Sequence, residues 1–372
     1  MPTDRPRKRD ACDDHDMRQG VNLGTESDNS LEASWKALGT LYHNFFSGLI
    51  LSLSSREGQD VAGEWSFNLF RRQHHEKFRS SLDKLGLTGL SDAVAAARYH
   101  YLSNLIGGVE VEYVEESDTK AWVRFPHPRW IYMGTAICGI PDTVGQGYVR
   151  GWYGQNGVSL KNPKLGFVCT SQDTHVGCGF SGYFMEYDHE LSVDDRARFI
   201  EGEIMPQFDP AFAPILDSNI WTKERLNRAR RNYAMEYIRS GLTELIPLIG
   251  VDRTYAIGDI TAQLIGRQFY LGLLEILGFD PADRSLNAFG RFMTAMAKAH
   301  NDEVEIAHEG GGITISQSGW RLTRSMADSP PVIFDIWNAL WEGCLCAHDR
   351  MRRMEVLKRP AHSGDSVIWR IS

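Results

Sequence analysis

Three groups of residues in this chain have the types and spacing that chemistry needs. The first is His74, His75 and His100. The stretch holding His75 and the stretch holding His100 flank a turn centred near residue 88, with His75 thirteen positions before it and His100 twelve after. If both stretches are antiparallel helices, the two imidazoles lie across from each other. Glu112 follows on the next predicted strand. Imidazole with carboxylate suits a divalent metal, with His75 and His100 as ligands, or a general base with its orienting acid. Adjacent histidines on a helix are also commonly surface residues, and a lone buried one a packing residue, so both readings of His100 stand.

The second group is Phe125-Pro-His-Pro-Arg-Trp130. Two prolines hold the chain extended around His127 and present Arg129 beside Trp130. His127 joins His100 and Glu112 as a catalytic candidate. The Arg129 fork suits a carboxylate ligand, and Trp130, Tyr132, Trp152, Tyr153 and Asn156 complete a candidate wall for a small substrate. The alternative is a rigid strand-exit loop with its tryptophan in the core. The third group is Cys169, His175 and Cys178. A cysteine nucleophile needs a nearby base and a lowered pKa; buried, inert thiols are the competing reading.

These residues must be positioned by elements, and the elements recur. Leu85-Gly86-Leu87 matches Leu277-Gly278-Phe279 at an offset of 192, and Glu110-Val111-Glu112 matches Glu303-Val304-Glu305 at 193. Trp122 then falls opposite Trp320. Apolar residues at helical spacing predict helices over 33–54 and 62–85, with a third, capped by Ser91-Asp92, running to about Asn104. Alternation at period two predicts strands over 109–114 and 121–125. The second half repeats the order, with helices over 222–248, 252–277 and 282–299, strands at 303–306 and 312–316, a helix over 331–352, and strands over 354–359 and 366–371.

The predicted fold is therefore α+β: two similar halves, each a helical layer on a small antiparallel sheet, related by a pseudo-twofold. Residues 1–30 read as a disordered leader, 31–190 as the functional half, 191–221 as a linker and 222–372 as a scaffold-like half. The first half carries about ten extra residues between its hairpin and its closing strands, in a Gly-, Pro- and aromatic-rich stretch, 126–157. Ordered loops of this kind disproportionately carry function.

Composition bounds the partners. The 372 residues have a formal net charge of -8, which lacks the basic face that nucleic acid demands. The most apolar run, 45–53, is far short of the roughly 20 residues a bilayer needs. Six scattered cysteines form neither a disulfide framework nor a zinc spacing, which suits a reducing cytoplasm. A small molecule is the expected partner, with a second copy of the chain as a further candidate. No Gly-rich phosphate loop, His-Glu-x-x-His or Cys-x-x-Cys motif and no nucleophile elbow is present.

Residues 337–371, and more loosely 165–187, resemble a ligand-binding superfamily that includes the 4-vinyl-reductase domain and the L-2-amino-thiazoline-4-carboxylate hydrolases. The order helical hairpin, β-hairpin, helix and closing strands carries the resemblance. Those families often close with Gly-x-x-Cys-x-Phe; here Gly364 leads to Val367 and Trp369 instead, and Gly177-Cys178-Gly179-Phe180 is a partial match. The resemblance implies a small-molecule pocket between helices and sheet, with hydrolysis of a small cyclic substrate; it transfers no catalytic residue. The function expected is an enzyme of hydrolase or lyase type acting on a small carboxylated or aromatic molecule, with a divalent metal as the candidate cofactor. The alternative is a non-catalytic small-molecule binding or sensor protein.

Overall fold

The fold, a computed structural model, is described for residues 23–175, 179–324, 326, 329–360 and 365–372. Three long helices open it: α1 (Leu23–Arg56), α2 (Gln59–Lys84) and α3 (Asp92–Gly107). Helix α1 begins inside the stretch expected to be disordered; residues 1–22 lie outside the described residues. Gly58 at φ 97° and Gly108 at φ 77° turn the chain where a side chain would be strained. Ser91 stands at the start of α3 but makes no cap; the Ala93 N–H donates instead to the Glu186 carboxylate at 3.4 Å.

Strands β1 (Glu112–Ser117) and β2 (Lys120–Arg124) follow as an antiparallel hairpin. The segment expected to be loop is helical in short pieces. It contains 3₁₀ turns at Trp130–Tyr132 and Gly134–Cys138, then α4 (Asp142–Tyr148), a π turn at Val149–Tyr153, and α5 (Asn156–Leu160). Strands β3 (Leu165–Ser171), β4 (Ser181–Glu186) and β5 (Ala197–Phe199) complete the first sheet. Strand β5 lies in the expected linker, yet it pairs in parallel with β3 and so extends the sheet.

The second half is α6 (Lys223–Ile249), α7 (Val251–Leu277), α8 (Leu286–His300), β6 (Glu303–Glu309), β7 (Gly312–Ser318), α9 (Pro331–His348), β8 (Met354–Lys358) and β9 (Ser366–Ile371). The sheets have orders β1-β2-β4-β3-β5 and β6-β7-β9-β8. Apart from β5, these are the same order. Trp122 and Trp320 are not a structural match: Trp122 is central in β2, whereas Trp320 stands two residues past β7 at φ 24°.

The helix pairs that carry each sheet are held by glycines. In α2, an added Cβ on Gly63 would meet Thr143; on the facing segment, one on Gly147 would lie 2.3 Å from the Gly63 carbonyl and one on Gly151 2.5 Å from that of Phe67. In the second half, Cβ atoms on Gly266 and Gly343 would lie 2.1 and 2.3 Å from the carbonyls of Leu340 and Gln263. Helix α2 thus packs backbone to backbone on α4 and the π turn, as α7 does on α9. Most buried apolar side chains of the two halves form one continuous core, and Trp122, Val168, Tyr183 and Met205 form a separate small cluster. Among the described residues no helix is long and apolar enough to cross a membrane.

Candidate functional site

Between the halves lies a chamber of about 310 Å³, near the lower end of small-molecule sites. Its aromatic wall is Phe70, Tyr99, Trp130, Tyr148, Trp152, Tyr233 and Tyr237, joined by His43. Polar lining comes from Gln73 and Lys77 on α2, Ser103 and Asn104 on α3, and Arg230, Asn232 and Glu236 on α6. Six lining residues belong to α6, so the half expected to be scaffold supplies one whole wall. A recess of about 20 Å³ opens beside it, lined by Arg129 and Ile131 together with Phe70, Asn104, Val109, Trp130, Tyr148 and Tyr237.

Arg129 is the centre of the recess. The two prolines before it lead into the 3₁₀ turn at 130–132, and the side chain is buried, only 6% exposed. Its Nε and Nη2 donate to Oδ2 of Asp173 at 2.7 and 2.6 Å, and that carboxylate is fully buried. The guanidinium carbon sits 4.1 Å from the Tyr148 ring centre and 4.6 Å from that of Phe180. Asp173 holds the Arg129 pKa above its ordinary value against the opposing effect of burial. The fork expected to take a ligand carboxylate is thus already occupied by an internal one. The remaining nitrogen, Nη1, is buried and has no hydrogen-bond partner.

Gln73 repeats the pattern on α2. It is 5% exposed, lines the chamber, and its Nε2 is buried without a partner. Phe70, three residues earlier, lines both chamber and recess. Gln73 therefore stands about 4.5 Å along the helix axis from Phe70. Buried donors left without acceptors destabilise a fold by roughly 1–3 kcal/mol each unless something satisfies them. One of the two here belongs to a residue that lines the chamber and the other to a residue that lines the recess beside it.

His43 was not among the residues singled out from sequence. It lines the chamber, stacks on Trp130 with centroids 4.3 Å apart, and burial lowers its pKa to about 4, so the ring is neutral near pH 7. Nothing in the local sequence marks it; its importance comes from α1 crossing beneath the 129–132 turn.

The predicted histidines fall elsewhere. His100 is fully buried, between Tyr153 at 4.2 Å and Phe184 at 5.3 Å, both nearly parallel to it. Asn156 Nδ2 donates to the Trp152 and Tyr153 carbonyls at 3.1 and 2.8 Å and lies 3.0 Å from His100 Nε2. That arrangement makes Nε2 an acceptor and the ring neutral. Burial, then nearby His74, drives the His100 pKa well below the ordinary value. His100 does not line the chamber.

His75 is exposed on α2, so the structure does not bring it to His100 as a ligand pair. One position on a helix is a rotation of about 100°, and it is His74 that turns inward. His74 and His100 both pack against Trp152, with centroids 5.5 and 6.1 Å from it. His74 Nε2 lies 3.0 Å from Ser159 Oγ, and burial lowers its pKa to about 3. The corresponding helix pair of the second half carries Tyr270 Oη and His348 Nδ1 at 2.8 Å. The same tie in both halves marks His74 as a structural link between helices. Among the described residues no group of three or more His, Cys, Asp or Glu could hold a metal ion.

Glu112 lies directly across the hairpin from Arg124, whose Nε donates to it at 2.5 Å. His127 is 74% exposed and 3.5 Å from Glu110. His100, His127 and Glu112 are thus in three different environments, and none of them lines the chamber. Of the predicted substrate wall, Trp130 and Trp152 line it and Arg129 lines the recess. Tyr132 is buried with its ring centre 5.5 Å from the Arg129 guanidinium carbon, while Tyr153 and Asn156 hold His100. The Cys169 thiol is pushed up to about 12 by burial and donates to the Ser171 carbonyl at 3.3 Å, the opposite of an activated nucleophile. Cys178 lies outside the described residues. Comparison with family models, with curated proteins and with solved structures returned no match.

Proposed function

We propose that this protein binds a small, flat, largely apolar molecule carrying at least one hydrogen-bond acceptor, in the chamber between its halves. One observation carries the reading: an aromatic-walled cavity with Gln73 in its lining and Arg129 in the lining of the recess beside it, each with a buried N–H group that no acceptor in the protein meets. A ligand acceptor would satisfy both donors. Binding is favoured over hydrolase or lyase chemistry because the two side chains in the chamber lining that could act as bases are a weakly basic histidine and a carboxylate held in an ion pair. The only lining histidine is neutral, with a pKa about 4, and the only lining carboxylate, Glu236, is 3.4 Å from Lys77.

The resemblance to the vinyl-reductase and amino-thiazoline hydrolase superfamily stays with this reading as a proposal for ancestry. So does a pseudo-twofold relation of the halves, which the matching strand orders support. The free thiols of Cys138, Cys169, Cys344 and Cys346 fit a cytoplasmic setting.

The test is calorimetric titration of the full chain with a set of monocyclic and bicyclic aromatic ketones and acids. At least one should bind. Trp130→Leu removes a half-buried chamber wall and its stack on His43, and should weaken that binding by about fivefold. If no member of the set binds, or Trp130→Leu binds as the parent does, the chamber is not the site.

A further inference from the structure

Charge sets which end of such a ligand goes in first. The recess at Arg129 is about 20 Å³, and a cavity needs only about 10–15 Å³ to hold one water-sized group. It has room for a small oxygen-bearing group. Asp173 also already neutralises Arg129, at 2.6 and 2.7 Å and with no exposure of its own. A ligand carboxylate in the recess would place two anions on one buried cation, and a buried charge left uncompensated is strongly unfavourable. A neutral carbonyl oxygen meets Nη1 with no such imbalance.

The chamber's open side has the complementary feature. Three charged residues line it: Lys77, Glu236 and Arg230. Lys77 and Glu236 are 3.4 Å apart, and Glu236 also takes Arg239. Arg230 is exposed and has no ion-pair partner among the described residues. Its guanidinium lies over Gly108, where an added Cβ would be 2.9 Å from Nε, so the turn after α3 is shaped to let it approach.

Resting on the binding function proposed above, we infer that the ligand is an aromatic oxo-acid bound with its neutral carbonyl oxygen in the Arg129 recess and its carboxylate outward on Arg230. This reverses the expectation that Arg129 takes the acid.

The experiment titrates the full chain calorimetrically with 3- and 4-acetylbenzoate, the matching isopropylbenzoates, which keep the acid and the shape but lose the carbonyl, and 4-methylacetophenone, which keeps the carbonyl and loses the acid. An acetylbenzoate should bind about tenfold more tightly than its isopropyl partner, because the latter leaves a buried N–H unmet. Arg230→Gln should weaken the acetylbenzoate about threefold and leave 4-methylacetophenone unchanged. The acetylbenzoate affinity should fall as salt rises from about 0.01 to about 1 M, over which screening lengths shrink from about 30 to about 3 Å. Since Arg230 is exposed, its variant folds; the carbonyl is tested on the ligand, so Arg129 and its buried pair stay intact. Equal affinity for acetyl and isopropyl compounds overturns the inner carbonyl. An acetylbenzoate unaffected by Arg230→Gln and by salt overturns the outer acid. Either result leaves the chamber as a site. Failure of all these compounds to bind sinks both the orientation and the binding function beneath it.

Discussion

At the scale of single residues, His100 shows how a good chemical candidate becomes a packing residue. Its ring is sandwiched by Tyr153 and Phe184, and its one hydrogen-bonding neighbour, Asn156, already donates to two backbone carbonyls. His100→Phe keeps the sandwich and orphans nothing, so it should change stability by less than about 1 kcal/mol and leave ligand binding intact. His100→Ala opens a cavity there and should destabilise by about 3 kcal/mol in urea titrations. Loss of binding in a stably folded His100→Phe would return the residue to function.

The buried histidines also set a pH dependence. His43 is lowered to about 4, His74 and His300 to about 3, all chiefly by burial. The unfolded chain therefore takes up protons below the ordinary histidine pKa of about 6.5 while the folded chain does not. Stability contributed by these rings is complete above about pH 6.5 and is lost as pH falls toward 4. By pH 5 each deeply buried ring withdraws about 1–2 kcal/mol. Urea midpoints should drop steeply between pH 7.5 and 5; a flat profile over that range would mean these rings are not held neutral by the fold.

At the scale of elements, much was legible and the failures have a common cause. Helices α2, α3, α6, α7 and α8 and both hairpins follow from periodicity and glycine stops. Periodicity reports burial along one segment. It does not report which of two adjacent residues faces inward, so it offers His75 where His74 is the buried one. Nor does it reach 44 residues along the chain to find Asp173 as the partner of Arg129. The stretch 126–157 read as loop because its glycines resemble turn residues. In the fold, Gly147 and Gly151 are helical and are glycine because α2 passes over them. Gly147→Ala and Gly266→Ala each drive a Cβ to within 2.3 Å of a facing carbonyl. Each should destabilise by about 3 kcal/mol or more in denaturant titrations, where a helical glycine free of contacts would gain stability on becoming alanine. Gly272, which meets nothing within 4 Å, is the control.

At the scale of the molecule, the repeated order of elements makes two halves, but the core and the chamber belong to both. The sequence comparison of halves pointed to the first one for function, and Trp130, Trp152 and Arg129 are there. It had no way to show α6 closing the chamber, because the contact depends on how the halves pack and not on what either contains. If the binding function proposed above holds, a ligand occupies this shared chamber. Ser103 lies half-buried on its wall, away from the core. Ser103→Trp should fill the space with an indole. The most direct measurement is calorimetric titration of this variant and the parent with the tightest acetylbenzoate, beside their melting temperatures. Binding should disappear while the melting temperature holds or rises. Binding retained at parental affinity in a folded Ser103→Trp protein would contradict it.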